Sequence, residues 1–120
     1  MDWDTIEFFS QHEFACPGES KPEMDLDFVT MLDQARKIAG VPFKITSGFR
    51  TPEHNRKVGG SRNSAHLRGM AADISCRSSG HRRRIVGALV EAGFQRIGIS
   101  HNFVHADLDL SLPAPVMWLY

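Results

Sequence analysis

The segment from Ser64 to Asp73 restricts the fold more than any other part of the sequence. It places His66 and Asp73 seven residues apart and puts small residues, Ala71 and Ala72, directly before the acid. A strand is predicted to begin in this segment, and its small side chains allow another part of the backbone to approach closely. The segment is therefore expected to lie inside the fold while it carries two side chains that bind metals.

A second histidine, His105, lies 32 residues after Asp73 and is followed two places later by Asp107. Two imidazoles and one carboxylate, from His66, Asp73 and His105, are a suitable ligand set for one zinc ion. Three protein ligands leave the fourth position open for water, as in hydrolytic sites. The same residues also have ordinary interpretations, as a loop histidine, a turn acid and a histidine at the surface of a strand. Spacing alone does not choose between these interpretations.

Size and charge exclude several classes of protein. The chain has 120 residues, which suits one domain over 1–120, and its 14 basic residues balance 14 acidic ones. A net charge of zero gives no general attraction to nucleic acid or to an anionic membrane. We expect neither a nucleic-acid partner nor membrane insertion, because no apolar run approaches the ~20 residues that span a bilayer. The two cysteines, Cys16 and Cys76, leave open reduced thiols, a disulfide, or a thiol near the site.

Helices are predicted from apolar residues at three- and four-residue spacing and from capping residues, and strands from alternation. The predicted helices are a short one within 1–24, one over 25–39, a short one from 51, and one over about 81–92. The predicted strands are 43–47, 70–75, 96–99 and 103–108. Residues 59–65 are expected to form a flexible loop leading into His66, and the aromatic residues of the tail (111–120) to pack back on the body. This order predicts an α+β fold with a small antiparallel sheet flanked by helices.

Three motifs resemble those of the M15 zinc peptidases, the D-Ala-D-Ala carboxypeptidase family. Residues 64–73 (SAHLRGMAAD) are similar to the family pattern SxHxxGxAxD, and residues 47–51 (SGFRT) to the segment that precedes it. Residues 103–107 (FVHAD) resemble the HxD ending of the M15A-like branch, which includes bacterial murein peptidases and phage lysis enzymes. The resemblance spans residues 28–108. It implies the fold of the hedgehog signalling domain and other LAS-type peptidases, and a hydrolase acting on peptidoglycan.

The resemblance also implies a role for each matching residue. His66, Asp73 and His105 correspond to the ligands of one zinc ion. Arg50 corresponds to the arginine that contacts the substrate or the developing oxyanion, and Ser64 to the serine that binds substrate near the metal. Many relatives have an acid three residues before the last ligand, where this chain has Asn102. Asp107 is therefore the predicted catalytic base toward the zinc-bound water.

The predicted function is that of a zinc metallopeptidase, a carboxypeptidase or endolysin-type endopeptidase in cell-wall degradation. The hydrolysed bond could be D-Ala-D-Ala, another D-centred link or L-Ala-D-Glu, because the motifs do not distinguish among these substrates. The acidic start has no secretion signal, which suggests synthesis in the cytoplasm and release to the wall or periplasm, as in phage lysis. We also expect the protein to be a monomer.

Asn102 keeps open a second interpretation, a non-catalytic, zinc-stabilised module that binds the cell wall. A third interpretation, favoured less, is a metal-free carbohydrate lyase that uses histidine and aspartate as acid and base. Metal analysis of the purified protein would separate the third interpretation from the other two.

Overall fold

A five-stranded mixed sheet forms the centre of the computed structural model, which describes residues 2–19 and 21–120. The strands are β1 (Ile45–Ser47), β2 (Ala71–Ser75), β3 (Arg96–Ile99), β4 (Phe103–Asp107) and β5 (Val116–Leu119). Their order across the sheet is β1-β2-β4-β3-β5. The predicted α+β class is confirmed, because this sheet packs with helices that come between its strands in the sequence.

In the described part of the chain, three α-helices accompany the sheet, and each begins after a capping residue. They are α1 (Leu26–Ala39), α2 (Pro52–Lys57) and α3 (Ser79–Ala92). The side chains of Asp25, Thr51 and Ser78 each accept a backbone N–H from the first turn of these helices. None of the helices within residues 2–19 and 21–120 combines the length and the apolar character needed to cross a membrane.

The prediction of one short helix within residues 1–24 is wrong. Two short 3-10 turns, Trp3–Thr5 and Gln11–Phe14, stand there instead. The apolar residues of this segment are separated by charged ones at irregular spacing, so no continuous apolar face is available to a helix. Met1 and Ser20, which fall within the prediction, lie outside the described residues.

The prediction that the sheet is wholly antiparallel is corrected by β5. The pairs β1–β2, β2–β4 and β3–β4 are antiparallel, but β5 pairs in parallel with β3. Both edges of β4 are already occupied by β2 and β3. The chain therefore reverses after β4, passes β3 and pairs along the outer edge of β3, which makes β5 antiparallel to β4 in direction and parallel to β3.

The two faces of the sheet differ because successive strand residues point to opposite sides. One face joins α1 and α3 in the hydrophobic core, and its buried strand residues are Ala72, Ile74, Ile97, Val104 and Ala106. The other face holds a row of register partners that crosses all five strands: Ser47, Asp73, His105, Gly98 and Trp118. Helices α1 and α3 therefore cover one face, and the predicted metal ligands of β2 and β4 lie on the other. The two cysteines, Cys16 and Cys76, are buried and free.

Candidate metal centre

His66 lies in a 3-10 turn (Ala65–Arg68), where the sequence predicted the end of a flexible loop. Ser64 caps this turn, and its Oγ accepts the backbone N–H of His66 at 3.2 Å. Gly69 ends the turn at φ +67°, a conformation that favours glycine. A Cβ at Gly69 would lie 2.7 Å from the Cα of Met24. The glycine of the motif thus allows the turn to pack against the segment before α1, which fixes His66.

The imidazole of His66 is oriented by the backbone that follows β1. Its Nδ1 lies 2.7 Å from the carbonyl oxygen of Gly48, and the backbone N–H of Arg50 donates to the carbonyl of His66 at 3.0 Å. A carbonyl oxygen can only accept, so Nδ1 carries the proton and donates it. The Nε2 lone pair of His66 is therefore free to bind a metal ion.

Asp73 and His105 are direct partners on β2 and β4. The Nδ1 of His105 lies 2.8 Å from Oδ1 of Asp73, and the Nε2 of His66 lies 3.5 Å from the same oxygen. Ligand atoms of the three residues all lie within 4.8 Å of one another. Tetrahedral zinc ligands at 2.0–2.1 Å from the ion are separated by about 3.4 Å. The three donors are therefore close enough together to reach one metal ion.

The second nitrogen of His105 faces a carboxylate. Its Nε2 lies 2.7 Å from Oδ2 of Asp107. The other carboxylate oxygen of Asp107, Oδ1, accepts hydrogen bonds from Nε of Arg96 at 2.8 Å and from the backbone N–H of Asp109 at 2.9 Å. Asp107 is only 4% exposed. Metal-binding histidines commonly donate their other N–H to a carboxylate or carbonyl, which sets the tautomer and the ring orientation. Both histidines of this site have such a partner.

Charge in the site follows from these contacts. Burial alone would raise the pKa of Asp73, but the hydrogen bond from His105 and the nearby imidazole of His66 outweigh it and hold the pKa well below its usual range. The pKa of Asp107 is also lowered, because burial is outweighed by the hydrogen bonds from His105 and the backbone of Asp109 together with the positive charge of Arg96. The pKa of His105 is raised, because hydrogen bonds to Asp107 and Asp73 outweigh its burial. A metal ion on Nδ1 of His105 would take the place of a proton there.

Arg50 lies on the β1 side of the His66–Asp73–His105 group. Its Nε donates to Oγ of Ser47 at 3.1 Å and one terminal nitrogen donates to Oδ1 of Asn55 at 3.3 Å. The other terminal nitrogen lies 3.7 Å from Oδ2 of Asp73, an ion pair longer than a hydrogen bond. Asn55 is buried on α2 and donates to the carbonyl of Ser61 at 2.8 Å. The guanidinium is thus held beside the group with donors directed toward it.

A comparison with protein families gives a match over residues 7–107 to the family described as Peptidase M15. The chain belongs to this peptidase family. A comparison with curated proteins found no match. Family membership, together with the His–Asp–His group, indicates a metallopeptidase.

Several residues that organise this M15 peptidase site were not singled out from the sequence. They are Gly48, Asn55 and Arg96. The predicted strands 96–99 and 103–108, separated by only three residues, carried a usable signal, since opposite charges favour cross-strand pairing and Arg96 is the register partner of Asp107. Gly48 contributes only a backbone carbonyl and Asn55 acts through Arg50, so neither has a sequence signature.

Proposed function

We propose that this M15 peptidase is a zinc-dependent hydrolase that cleaves an amide bond in peptidoglycan stem peptides. The convergence of His66, Asp73 and His105 is the observation that supports it most directly. Each imidazole offers one nitrogen to the shared centre while its other nitrogen is held by an acceptor. When bound, zinc would act as a Lewis acid on the scissile carbonyl and activate the attacking water.

In this proposal Arg50 stabilises the charge that develops on the carbonyl oxygen. Its guanidinium is already oriented by Ser47 and Asn55, so little reorganisation is needed during the reaction. Ser64 orients the peptide from the turn that also carries His66. The scissile bond is D-Ala-D-Ala, another D-centred link or L-Ala-D-Glu, and digestion of the polymer is needed to choose among them.

The contacts of Asp107 favour a positioning role, in which it orients His105 from the far side of the ring. Its two carboxylate oxygens together accept from His105, Arg96 and the backbone of Asp109. Acting as the general base would require Asp107 to give up one of these contacts. The base role derived from the sequence remains a prediction.

The contacts of Asp107 also favour one alternative function, a zinc-stabilised module that binds the cell wall without cleaving it. An engaged Asp107 and an amide at Asn102 leave the base unassigned. Both functions would place the protein at the wall after release from the cytoplasm, as a monomer, and they differ only in turnover.

The test is incubation of the zinc-loaded protein with purified peptidoglycan, followed by mass spectrometry of the released peptides. We expect new peptide termini at one type of bond, loss of cleavage with a chelator, and recovery when zinc is added back. Cleavage that resists the chelator would contradict the metallopeptidase proposal. Absence of cleavage by a zinc-loaded protein that still sediments with the wall would support the binding module.

A further inference from the structure

The row of register partners that includes Asp73 and His105 continues across the sheet toward its β5 edge. His105 is the register partner of Gly98, and Gly98 is the register partner of Trp118. Trp118 therefore lies on the same face as Asp73 and His105, and its ring centroid is 5.6 Å from that of His105. Because β5 lies beyond the residues matched to the M15 family, this neighbour of the site belongs to a part of the chain that the match leaves unexplained.

Trp118 is held in a defined position over β3. A Cβ at Gly98 would lie 2.7–2.8 Å from three atoms of the indole, so the ring occupies the space that a side chain there would need. The guanidinium of Arg96 lies 4.8 Å from the indole centroid, a cation–π contact, and Arg96 also donates to Asp107 and to the carbonyl of Pro113. An indole fixed in this way can bind a ligand with little loss of side-chain entropy.

Two further aromatic rings extend the surface. Tyr120 lies 6.2 Å from Trp118 and 5.0 Å from Phe103, measured between ring centroids. The pKa of Tyr120 is raised, by burial and then by the negative charge of Asp73, which agrees with a position close to the metal ligands. Phe103, Trp118 and Tyr120 together form what we call the aromatic wall. Trp118 is partly exposed and Tyr120 is 65% exposed, so the wall faces solvent next to the site.

We propose that the aromatic wall is a substrate-binding surface, and that Trp118 contacts the aliphatic side chain of the residue lying next to the scissile bond on the β3–β5 side. This inference rests on the proposed function. A peptide whose carbonyl lies at His66, Asp73 and His105 can extend toward Arg50 or toward Trp118. The Arg50 side is cationic and suits carboxylates and carbonyl oxygens, whereas the Trp118 side is apolar and suits a methyl or methylene group.

The kinetic test uses soluble muropeptides, released from purified peptidoglycan by a muramidase, with zinc-loaded Trp118→Ala, Trp118→Phe and Gly98→Ala. We expect Trp118→Ala to raise KM about tenfold with little change in kcat or zinc affinity, while Trp118→Phe stays within about threefold of the parent. Gly98→Ala displaces the indole and is expected to raise KM in the same direction. Met117→Ala is the matched control, because the neighbouring Met117 pairs with core-facing Ile97 and should leave KM unchanged.

A binding measurement keeps this inference separate from the proposed function. The sequence has two tryptophans, so the indole N–H signal of Trp118 in a ¹⁵N spectrum can be assigned by its loss in Trp118→Phe. We expect muropeptides to shift that signal in the zinc-loaded protein whether or not cleavage follows. An unmoved signal, an unchanged KM in Trp118→Ala, or a raised KM accompanied by weaker zinc binding would each overturn the role of the wall. The last of these results would identify Trp118 as structural support for His105.

Discussion

The two faces of the sheet are built from the same strands but are stabilised in different ways. Toward α1 and α3, the strands present Ile74, Ile97 and Val104, which are 0–2% exposed and pack in the hydrophobic core. Toward the site, β2 and β4 present Asp73 and His105, which are 9% and 8% exposed. Buried apolar groups need only close packing, whereas buried charged groups need partners for every polar atom.

The site face meets that requirement through a connected set of contacts. Among the described residues, no buried side-chain nitrogen or oxygen lacks a hydrogen-bond partner. Asp73 and Asp107 each accept from His105, and Arg50 and Arg96 supply positive charge at the two ends of this set. One face therefore packs apolar side chains, and the other holds charged side chains that are paired with one another. Substitutions on one face should therefore leave the property of the other face nearly unchanged.

The largest effect is expected from Asp73→Asn on the site face. It removes the proposed anionic ligand while preserving the shape of the side chain, and on the proposed function we expect peptidoglycan cleavage to fall about 10³-fold with loss of bound zinc. Cleavage rate and metal content of the purified variant measure this. Asp27→Asn in the exposed first turn of α1 is the matched control and should keep both. Full activity in Asp73→Asn would remove Asp73 from the ligand set.

The next largest effect is expected from Leu32→Ala on the helix face. Leu32 is fully buried on α1, and its truncation should lower the free energy of unfolding by about 3 kcal/mol, as measured in urea. Zinc affinity and KM of the folded fraction should not change. Ile38→Ala on the same helix, at a side chain 43% exposed, should stay within about 0.5 kcal/mol. If Leu32→Ala also weakened zinc binding, the two faces would be coupled.

A smaller effect is expected from Asp107→Asn, which separates its two proposed roles. An amide offers one acceptor oxygen, whereas Asp107 accepts from His105, Arg96 and the backbone of Asp109. If Asp107 orients His105, zinc affinity should fall about 10–100-fold, as measured by competition with a chelating dye.

The same variant can instead support the base role. If Asp107 is the general base, kcat should fall while zinc affinity is kept, and the acidic limb of the kcat–pH profile should disappear. Asp109→Asn is the comparison variant, since Asp109 contacts Asp107 only through its backbone N–H.

Local signals predicted most of the regular structure. The apolar spacing of Phe28 and Leu32 and the stop at Gly40 predicted a helix over 25–39, which is within one residue of the observed bounds of α1. The predicted strands over 70–75, 96–99 and 103–108 agree with β2, β3 and β4 to within one residue at each end. Capping and alternation are properties of neighbouring residues, so they can be read along the chain. The strand β5 was missed because its pairing with β3 depends on the path taken after β4.

The sequence predicted which residues form the candidate site, but not the contacts that orient them. The motifs named His66, Asp73 and His105, and the structure brings these side chains together, while their role as ligands remains a prediction. The partners that orient the rings were not visible. Gly48 acts through its backbone, and Arg96 reaches Asp107 only once β3 and β4 pair.

The sequence by itself determined the class of fold, the family, and the three residues that the structure brings together, His66, Asp73 and His105, because these follow from residue type and short-range spacing. Tertiary structure alone decided which nitrogen of each histidine faces the centre, which contacts engage Asp107, and that Trp118 stands beside His105. These depend on strand register and on the parallel placement of β5, and no local pattern encodes the distance between segments that meet only when the sheet closes.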